Sequence, residues 1–463
     1  MIVGAVMVPH PPLAVHEIGR GEETKIQDTL DAYRKAAEFI ASKKPDTIIL
    51  ASPHALMYRD YFNVSDGSRA SGSFAHFGAG NVKISCAYDR QFTYELTNLL
   101  EEKDFPGGIE YDREPDLTDD HGAMVPLYFL QQVYTDFKVV RVGLSGLPLS
   151  RHYEMGMYLR QMSDTLHRRA VFIASGDLAH CQKEDGPYGY REQGPEYDRR
   201  IMADMGSGDF GRLLAYDPVF CSTAMECGHR SFVMMAGALD RMAVLPKVLS
   251  HENTFGVGYG VILFECGAED PSRNFLDQYR EEEKEKMQRK RDEADPWVAL
   301  AVQSVHAWVK EKRIIAVPEG LPQEMTARSA GVFVSIHEAG QLRGCIGTMR
   351  PVRGSVAEEI IYNAISACSR DPRFDPVEED ELPFLEISVD VLGDMEPVHD
   401  RSELDVKRYG ILCSYNGRSG VLLPDLEGVD TVDEQIRIAC QKGGINPERD
   451  DFTIERFEVI RHV

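Results

Sequence analysis

The sequence lacks several patterns that would place it in a well-known class. Its nine cysteines are scattered without a Cys-x-x-Cys pair, which argues against a zinc ribbon, a ferredoxin-type cluster and a disulfide framework. No apolar run approaches the roughly 20 residues of a membrane-spanning helix. The first residues, Met1–Val8, lack the basic start and the cleavage site of a signal peptide. We therefore expect reduced thiols, no membrane association and a cytoplasmic location.

Positive charge is also scarce. The chain has 51 Lys and Arg against 75 Asp and Glu, a formal net charge of -24. Because nucleic-acid affinity depends on neutralising phosphates, this balance disfavours general DNA or RNA binding. What is present, 43% hydrophobic and 27% charged residues, is typical of a folded protein. Its 463 residues exceed the ~250 to 300 that one core can hold, so we predict two domains.

A change of composition marks the boundary between these domains. After the apolar segment Gly260–Glu265, a mixed-charge stretch around Arg280 to Glu293 has almost no apolar residues, which is typical of a linker or a solvated helix. A new helical period begins at Trp297, with Asp295 as N-cap and Pro296 in the first turn. We predict a first domain over residues 1–268, a charged linker over 269–295 and a second domain over 296–463.

The hydrophobic pattern predicts the fold class of the first domain. Short apolar runs alternate with amphipathic segments, which favours a layered α/β domain with a mostly parallel or mixed sheet and helices on both faces. The predicted strands are 2–8, 47–51, 139–144, 170–175 and 260–265, and the predicted helices are 26–42, 92–102, 125–133, 152–166 and 231–239.

Histidines follow three of the predicted strands. His10 and His54 each come directly after a strand and between or behind prolines, and His180 follows the strand that ends at Ser175. If the strands of His10 and His54 are parallel neighbours, both imidazoles emerge at the sheet edge where open α/β sheets place their ligands. Flanking prolines restrict the backbone, which suits side chains that must converge on one ion.

Two further residues belong to the candidate site. His121 stands just ahead of a predicted helix, and Glu226 lies in a loop before an apolar helix. Two histidines and one carboxylate leave half of an octahedral site open, the arrangement with which ferrous iron binds substrate and O₂ side by side. The same ligands could instead activate a Zn²⁺-bound water for hydrolysis, and the sequence leaves that alternative open.

Other patterns have simpler interpretations. We expect His16, His76, His152 and His167 to be surface or satisfied core residues, whereas the sequence does not decide for His229 and His251. The glycines of the segment 256–260 could form a phosphate loop. Because no helix follows them, a bent strand is the favoured interpretation.

The first domain resembles the catalytic subunit of class III extradiol dioxygenases and the related Memo family. The resemblance spans essentially all of residues 1–268 and is carried by Val8-Pro9-His10-Pro11-Pro12, Ser52-Pro53-His54, Asp120-His121-Gly122, Ser175-Gly176-Asp177-Leu178-Ala179-His180 and Met225-Glu226-Cys227-Gly228. It implies that His10, His54 and Glu226 ligate Fe²⁺, that His180 moves protons and that His121 orients substrate.

The resemblance also implies a reaction, the cleavage of a catecholic or related aromatic ring next to its hydroxyls with O₂. Memo-type members share the fold and part of the site without an established ring-cleaving role. The alternative is therefore a metal-binding accessory module of a radical-SAM pathway without ring-cleaving activity. Zn²⁺ or another divalent metal is the alternative to Fe²⁺.

The second domain resembles the AMMECR family. The resemblance is carried by Leu342-Arg343-Gly344-Cys345-Ile346-Gly347-Thr348, Ser369-Arg370-Asp371-Pro372-Arg373-Phe374 and Gly417-Arg418-Ser419-Gly420-Val421-Leu422-Leu423-Pro424. Alternating strands at 332–336 and 385–391 and a helix at 356–369 predict a smaller α+β domain with an antiparallel sheet. The fusion is similar to the AmmeMemoRadiSam arrangement, which implies a radical-SAM protein as partner.

Cys345 and Arg343 allow two interpretations. A thiolate beside a guanidinium would have a lowered pKa and could act as a nucleophile next to an anion binder. A buried thiol with a surface arginine fits the pattern equally well, and no histidine stands nearby in the sequence as a base. The sequence also leaves the oligomeric state open, including a homo-oligomer.

Overall fold

The computed structural model describes residues 1–110, 117–426 and 428–463. The chain divides into two compact units, Met1–Arg280 and Glu281–Val463. Among the described residues, no helix combines the length and the apolar character needed to cross a bilayer. Each unit is built around its own sheets and its own hydrophobic core.

The N-terminal unit contains one large mixed sheet. Its strands, in the order in which they lie across the sheet, are β4, β5, β7, β2, β8, β1, β10 and β9. The two short strands β3 and β6 pair separately. The strand bounds are β1 Ile2–Val8, β2 Thr47–Ser52, β3 Phe62–Asn63, β4 Arg69–Phe74, β5 Ala79–Tyr88, β6 Gly107–Gly108, β7 Lys138–Gly143, β8 Ala170–Ser175, β9 Met242–Glu252 and β10 Tyr259–Glu269.

The centre of this sheet is parallel. Strands β5, β7, β2, β8 and β1 run parallel to their neighbours, and antiparallel pairs form at both margins. The predicted α/β class is confirmed. The sequence interpretation assumes that the strands before His10 and His54 are direct neighbours. In the structure β8 lies between these strands, β1 and β2. Their carboxyl ends still face the same way.

Helices cover both faces of the sheet. One core joins α3, α5 and α9 to residues such as Ala5 and Met7, and the other joins α2 and α4 to Val6 and Val8. This alternation follows from the period of two along a strand. The helix bounds are α1 His16–Gly19, α2 Gln27–Lys43, α3 Arg90–Glu102, α4 His121–Gln131, α5 Leu149–Thr165, α6 Gln193–Ser207, α7 Gly211–Leu214, α8 Pro218–Ala224, α9 His229–Ala238 and α10 Phe275–Glu293.

Two glycines let α5 and α9 cross in backbone contact. A Cβ atom on Gly156 would lie 1.9 Å from the Met234 carbonyl oxygen, and one on Gly237 would lie 1.9 Å from the Tyr153 carbonyl oxygen. No side chain fits at either position. The packing of α9, the helix that follows the candidate site residues, therefore depends on these two glycines.

The C-terminal unit has two four-stranded antiparallel sheets, ordered β12-β11-β13-β18 and β14-β17-β15-β16. Its elements are α11 Pro296–Glu311, α12 Gln323–Thr326, β11 Val332–Glu338, β12 Gln341–Thr348, α13 Val356–Ser369, β13 Leu385–Leu392, β14 Glu396–Val398, β15 Gly410–Tyr415, β16 Arg418–Leu422, α14 Val432–Lys442, β17 Thr453–Phe457 and β18 Val459–His462. The predicted α+β class with antiparallel pairing is confirmed.

The segment interpreted as a charged linker contains regular structure. β10 continues to Glu269, and α10 occupies Phe275–Glu293. Paired charges three or four residues apart along this helix, such as Lys286 with Glu283 at 3.2 Å, support an otherwise polar helix. The solvated-helix alternative is therefore the one that the structure adopts.

Candidate metal centre

Three side chains of the N-terminal unit converge at the carboxyl ends of β1 and β2. The Nε2 atoms of His10 and His54 lie 3.1 Å apart, and the Sγ atom of Cys227 lies 3.5 Å from the His10 Nε2. All three atoms fall within 4.8 Å of one another, and among the described residues this is the one such group of His, Cys, Asp or Glu. The structure thus brings together the two histidines that the sequence predicted as ligands.

A hydrogen-bond chain determines the tautomer of His10. The Ser175 hydroxyl donates its single hydrogen to the Gly122 carbonyl at 2.6 Å. Toward His10 the Ser175 oxygen can then only accept a hydrogen bond, and the donor is the His10 Nδ1–H, 2.9 Å away. The ring hydrogen of His10 is therefore on Nδ1. The Nε2 lone pair of His10 then points toward His54 and Cys227. Such a partner on the far nitrogen is what orients metal-binding histidines.

The residues present fit a metal ion. Metal–nitrogen bonds are about 2.1 Å long, so two imidazole nitrogens bound to one ion at right angles lie about 3.0 Å apart. Burial, followed by the neighbouring His54 and His180, lowers the pKa of His10 well below its usual range. Burial also lowers the pKa of His54. Both imidazoles are neutral at pH 7 and have the lone pairs that a cation requires.

Cys227 reaches the histidines because two backbone segments touch beneath it. A Cβ atom on Gly176, just after β8, would lie 2.1 Å from the Gly228 Cα atom. This contact holds the turn that precedes α9 against the end of β8. The Cys227 Sγ atom accepts a hydrogen bond from the Asp177 backbone N–H at 3.3 Å. Burial raises the pKa of the Cys227 thiol well above its usual range in the metal-free chain.

Glu226 does not join the converging group, in contrast to the sequence interpretation. Its Oε2 accepts a hydrogen bond from the His229 N–H at 2.6 Å, at the first residue of α9. Met225 adopts a left-handed conformation, φ 57°, which turns the chain so that the next residue but one, Cys227, faces the histidines. Burial raises the pKa of Glu226 to about 7. The carboxylate lies one residue away from the ligand position.

His121 is the first residue of α4 and lies beside both histidines. Its ring stacks on His54 with 3.9 Å between the centroids and meets His10 edge to face at 5.2 Å. The helix start is fixed by the N-cap Asp120, which accepts from the Ala123 N–H at 2.9 Å and from the Ser52 hydroxyl at 2.5 Å. Burial, followed by His10 and His54, lowers the pKa of His121 to about 3. His121 is therefore neutral and limits the movement of His54.

His180 supplies an unpartnered ring nitrogen. Its Nε2 is buried and has no hydrogen-bond partner among the described residues. Burial lowers its pKa, and its charge interactions with Asp177 and His54 place it beside the same group. The exposed ring of Tyr188 packs against it at a centroid distance of 5.2 Å. A buried polar atom without a partner is unfavourable unless a ligand supplies one.

Three further histidines of this unit have protein partners. His229, which the sequence left undecided, is a core residue whose Nδ1 lies 3.2 Å from the Tyr197 hydroxyl and whose Nε2 lies 3.0 Å from the Leu213 carbonyl oxygen. His251 pairs with Asp198 at 2.8 Å. His152 is buried, as predicted for a satisfied core histidine, and accepts from the Ser145 N–H at 3.3 Å.

In the C-terminal unit, Arg343 and Cys345 take part in separate contacts. Arg343 forms a bidentate ion pair with Glu381, with nitrogen–oxygen distances of 2.6 and 3.0 Å, and also donates to the Asp375 carbonyl oxygen. The Cys345 thiol accepts from the Ser335 hydroxyl at 3.3 Å. These contacts favour the structural interpretation of Arg343 over that of an anion binder.

Sequence reasoning missed Cys227 and Ser175 as site residues. Cys227 stands in the motif Met225-Glu226-Cys227-Gly228, in which Glu226 is the more familiar type of ligand for ferrous iron. Ser175 ends a strand between those of the two histidines, which is a usable signal once the strand order is known. The glycine segment 256–260 forms a turn that leads into β10, so the bent-strand interpretation describes it better than a phosphate loop.

Two family models match the chain. The model described as the catalytic LigB subunit of aromatic ring-opening dioxygenase matches residues 4–262, and the AMMECR1 model matches residues 298–462. The first match includes every member of the converging group and covers more than half of the chain.

Similar proteins come from several microorganisms. A protein of Clostridium acetobutylicum is 39% identical over 467 residues, which cover 99% of this chain and 98% of that protein. A protein of Thermotoga maritima is 48% identical over 168 residues, 36% of this chain and 97% of its own length. A crystal structure of an uncharacterized protein from Pyrococcus horikoshii matches 36% of this chain and 88% of its own at 28% identity, with a TM-score of 0.34.

Proposed function

Because the chain belongs to the family of the catalytic LigB subunit of aromatic ring-opening dioxygenases and carries an AMMECR1 domain, we propose that its N-terminal unit is a metal-dependent enzyme of the extradiol dioxygenase type. The proposed metal is Fe²⁺, and the proposed substrate is a catecholic or related aromatic compound. His10 and His54 supply two ligands, and the residue pair Glu226 and Cys227 supplies the third.

One observation carries this proposal. The Nε2 atoms of His10 and His54 lie 3.1 Å apart, and in the tautomer that carries hydrogen on Nδ1 both rings direct an Nε2 lone pair into the same small space. Two lone pairs at that distance repel each other unless a cation lies between them. The lowered pKa values keep both rings neutral, so each has a lone pair that it can offer to a metal ion.

The chain's own residues would handle the substrate around this ion. His180 is neutral, and its buried Nε2 would accept a proton from a substrate hydroxyl. His121 is neutral as well and would orient the second hydroxyl while it supports the His54 ring. Fe²⁺ bound by two histidines and a third ligand supplies the open positions and the redox chemistry for a substrate and O₂.

Cys227 favours a second candidate function. Thiolate ligands select Zn²⁺ or Cu(I), whereas the ferrous oxygenases use two histidines and a carboxylate. With the Cys227 Sγ atom 3.5 Å from the His10 Nε2, the unit could hold such a softer metal. It would then act as a metal-binding accessory module without ring cleavage, and its proposed partner is a radical-SAM protein. Co-purification of the tagged chain with such a protein, whose cluster absorbs visible light, would test the partner directly.

The first experiment measures metal and O₂ together. The chain is purified without oxygen, its metal content is determined, and O₂ uptake is followed with a panel of catechols. About one iron per chain with catechol-dependent O₂ uptake supports the dioxygenase. Stoichiometric zinc or copper without uptake supports the accessory module, and no metal at all contradicts both proposals.

A second experiment identifies the third ligand. Cys227→Ser and Glu226→Gln change adjacent residues of one turn, so each serves as the control for the other. If the thiol is a ligand, Cys227→Ser lowers zinc affinity while Glu226→Gln keeps it. If iron recruits the carboxylate by a movement of the turn, Glu226→Gln is the variant that loses iron. An equal loss in both variants would indicate a disturbed turn instead of a lost ligand.

A further inference from the structure

The C-terminal unit contains a groove that the proposed metal chemistry does not use. It consists of two adjacent cavities of about 360 and 550 Å³, and the residues Arg291, His306 and Lys310 line both. Every lining residue lies within the unit Glu281–Val463. The site is therefore separate in the chain from the His10 and His54 group.

Two helix faces form this groove. The residues that α11 contributes, from Ala299 through His306 to Lys310, are spaced three or four apart and so share one side of the helix. The opposite side of α11 packs into the core of the unit. On α10, Gln288 and Arg291 follow the same spacing. Regular helix geometry thus brings the basic side chains of both helices into one space.

Two cations of the groove, Arg291 and Lys310, form no ion pair with the described acidic residues. Arg291 donates to the Pro383 carbonyl oxygen at 3.1 Å and to the Gln288 side chain at 3.0 Å, and it forms no ion pair with a described carboxylate. Lys310 forms none with the described residues either. The one acidic residue of the smaller cavity, Glu311, pairs with Arg313 at 2.7 Å.

The two cations stay without an ion pair although acidic residues outnumber basic ones in the chain by 75 to 51. Both Arg291 and Lys310 lie close enough to His306 to lower the pKa of its imidazole, after the larger effect of burial. The smaller cavity is thus lined by two cations that form no ion pair and by the imidazole of His306, while its one carboxylate, Glu311, is paired with Arg313.

We propose that the smaller cavity binds a small organic anion, with Arg291 and Lys310 on its carboxylate or phosphate group and His306 as a further donor. The wall includes the aliphatic side chains of Ala299, Val302 and Ala307, which suit a short apolar body. A volume of about 360 Å³ matches a molecule of the size of a substituted benzene ring. The larger cavity also contains Glu281, Glu285 and Glu379, so the anion is assigned to the smaller one.

The test measures binding of defined anions to the full chain by titration calorimetry. The probes are phenyl phosphate, benzoate and inorganic phosphate at constant ionic strength, with a chelator present so that no metal in the N-terminal unit competes for them. We expect phenyl phosphate or benzoate to bind more tightly than inorganic phosphate because of the apolar wall. The order of the first two identifies the anionic group.

Variants locate the site. Lys310→Gln and Arg291→Gln should each raise the dissociation constant about tenfold, the usual effect of losing one charge-assisted hydrogen bond. Lys286→Gln removes a charge from α10, the helix of Arg291, at a position outside the groove, and should leave the dissociation constant unchanged. His54→Ala, in the other unit, should also leave it unchanged. Circular dichroism verifies that each variant is folded. Absence of binding, or equal binding by all variants, overturns the proposal. A lower melting temperature with unchanged affinity would mean that Arg291 and Lys310 only stabilise the carboxyl ends of their helices, and it would overturn the proposal.

Discussion

The two units of this chain distribute their polar side chains in opposite ways. The N-terminal unit gathers four neutral imidazoles, His10, His54, His121 and His180, at one edge of a mostly parallel sheet. The C-terminal unit pairs charges one by one, as in Arg343 of β12 with Glu381 and, in the loop after α13, Arg373 with Asp371. The first arrangement leaves imidazole lone pairs without partners. In the second, the charged side chains of each pair satisfy one another.

Sheet topology explains the difference. Successive parallel strands end on the same side, so the residues after β1, β8 and β2 meet. Antiparallel strands end on alternate sides, so the residues that follow them are spread over both ends of the sheet. A site at strand ends is therefore expected in the first unit. A site in the second unit would be expected between helices, where the basic groove lies.

The largest expected effect concerns metal binding, which should depend on the N-terminal unit and not on the C-terminal unit. His54→Ala should reduce the bound metal from about one ion per chain to almost none, because it removes one of two converging imidazoles. Cys345→Ser, in the other unit, should leave the metal content unchanged. Metal analysis of both purified variants checks this prediction. Loss of metal in Cys345→Ser would show that the units share a site.

The next effect concerns catalysis within the N-terminal unit. His180→Ala should retain the metal and lose roughly 10²- to 10⁴-fold in O₂ consumption with an active catechol, because a positioned base is removed. The control is His16→Ala, because His16 is exposed. His229→Ala would be unsuitable, because His229 is a core histidine with protein partners. Full activity in His180→Ala would restrict this residue to a structural role.

A smaller effect concerns stability and tests whether the units unfold separately. Gly237→Ala should destabilise the N-terminal unit by about 1–3 kcal/mol or more, because its Cβ atom collides with the Tyr153 carbonyl group. Gly80→Ala, whose Cβ atom would meet only an ordinary contact at 3.4 Å, is the matched control. Calorimetry should show one shifted transition and one unchanged. A common shift of both would contradict independent unfolding.

The smallest effect concerns the C-terminal unit and its paired charges. Asp371 is buried and bonded to Arg373, which holds the pKa of the carboxyl at about 2. A folded-state pKa below that of the unfolded chain adds stability at neutral pH, and this contribution is lost as the pH falls from about 4 to 2. Asp371→Asn should cost roughly 2 kcal/mol at pH 7 and flatten this acid dependence in urea titrations. An unchanged profile would assign the acid sensitivity to other carboxylates.

Much of the central sheet could be predicted from the sequence because its strands are continuously apolar. β1 and β8 match their predicted ranges, and β2 differs by one residue. The marginal strands were missed for physical reasons. β9 contains Pro246, which argues against a strand, yet β9 lies at the sheet edge where a missing N–H donor is tolerated. In β5 and β4, polar and small residues alternate with apolar ones too irregularly to indicate a strand.

The sequence predicts His10, His54 and Glu226 as ligands, and the structure brings His10 and His54 together with Cys227, the neighbour of Glu226. The positions of His10 and His54 follow from strand ends, which sequence patterns reveal. The choice between Glu226 and Cys227 depends on one left-handed residue, Met225, and on the contact between Gly176 and Gly228. Neither a backbone conformation at a non-glycine residue nor a contact across 52 positions can be read from local sequence.

The residues of the converging group come from distant parts of the chain, and this separation has a consequence for the biosynthesis of the proposed metal site. His10 and Cys227 are 217 positions apart, so an unfolded or partly translated chain holds no assembled group. If the group binds an ion as proposed, capture during translation would have to wait until α9 has emerged and docked on the sheet. Metal supply would then act on the finished fold and shift its equilibrium against unfolding, rather than guide the nascent polypeptide toward it.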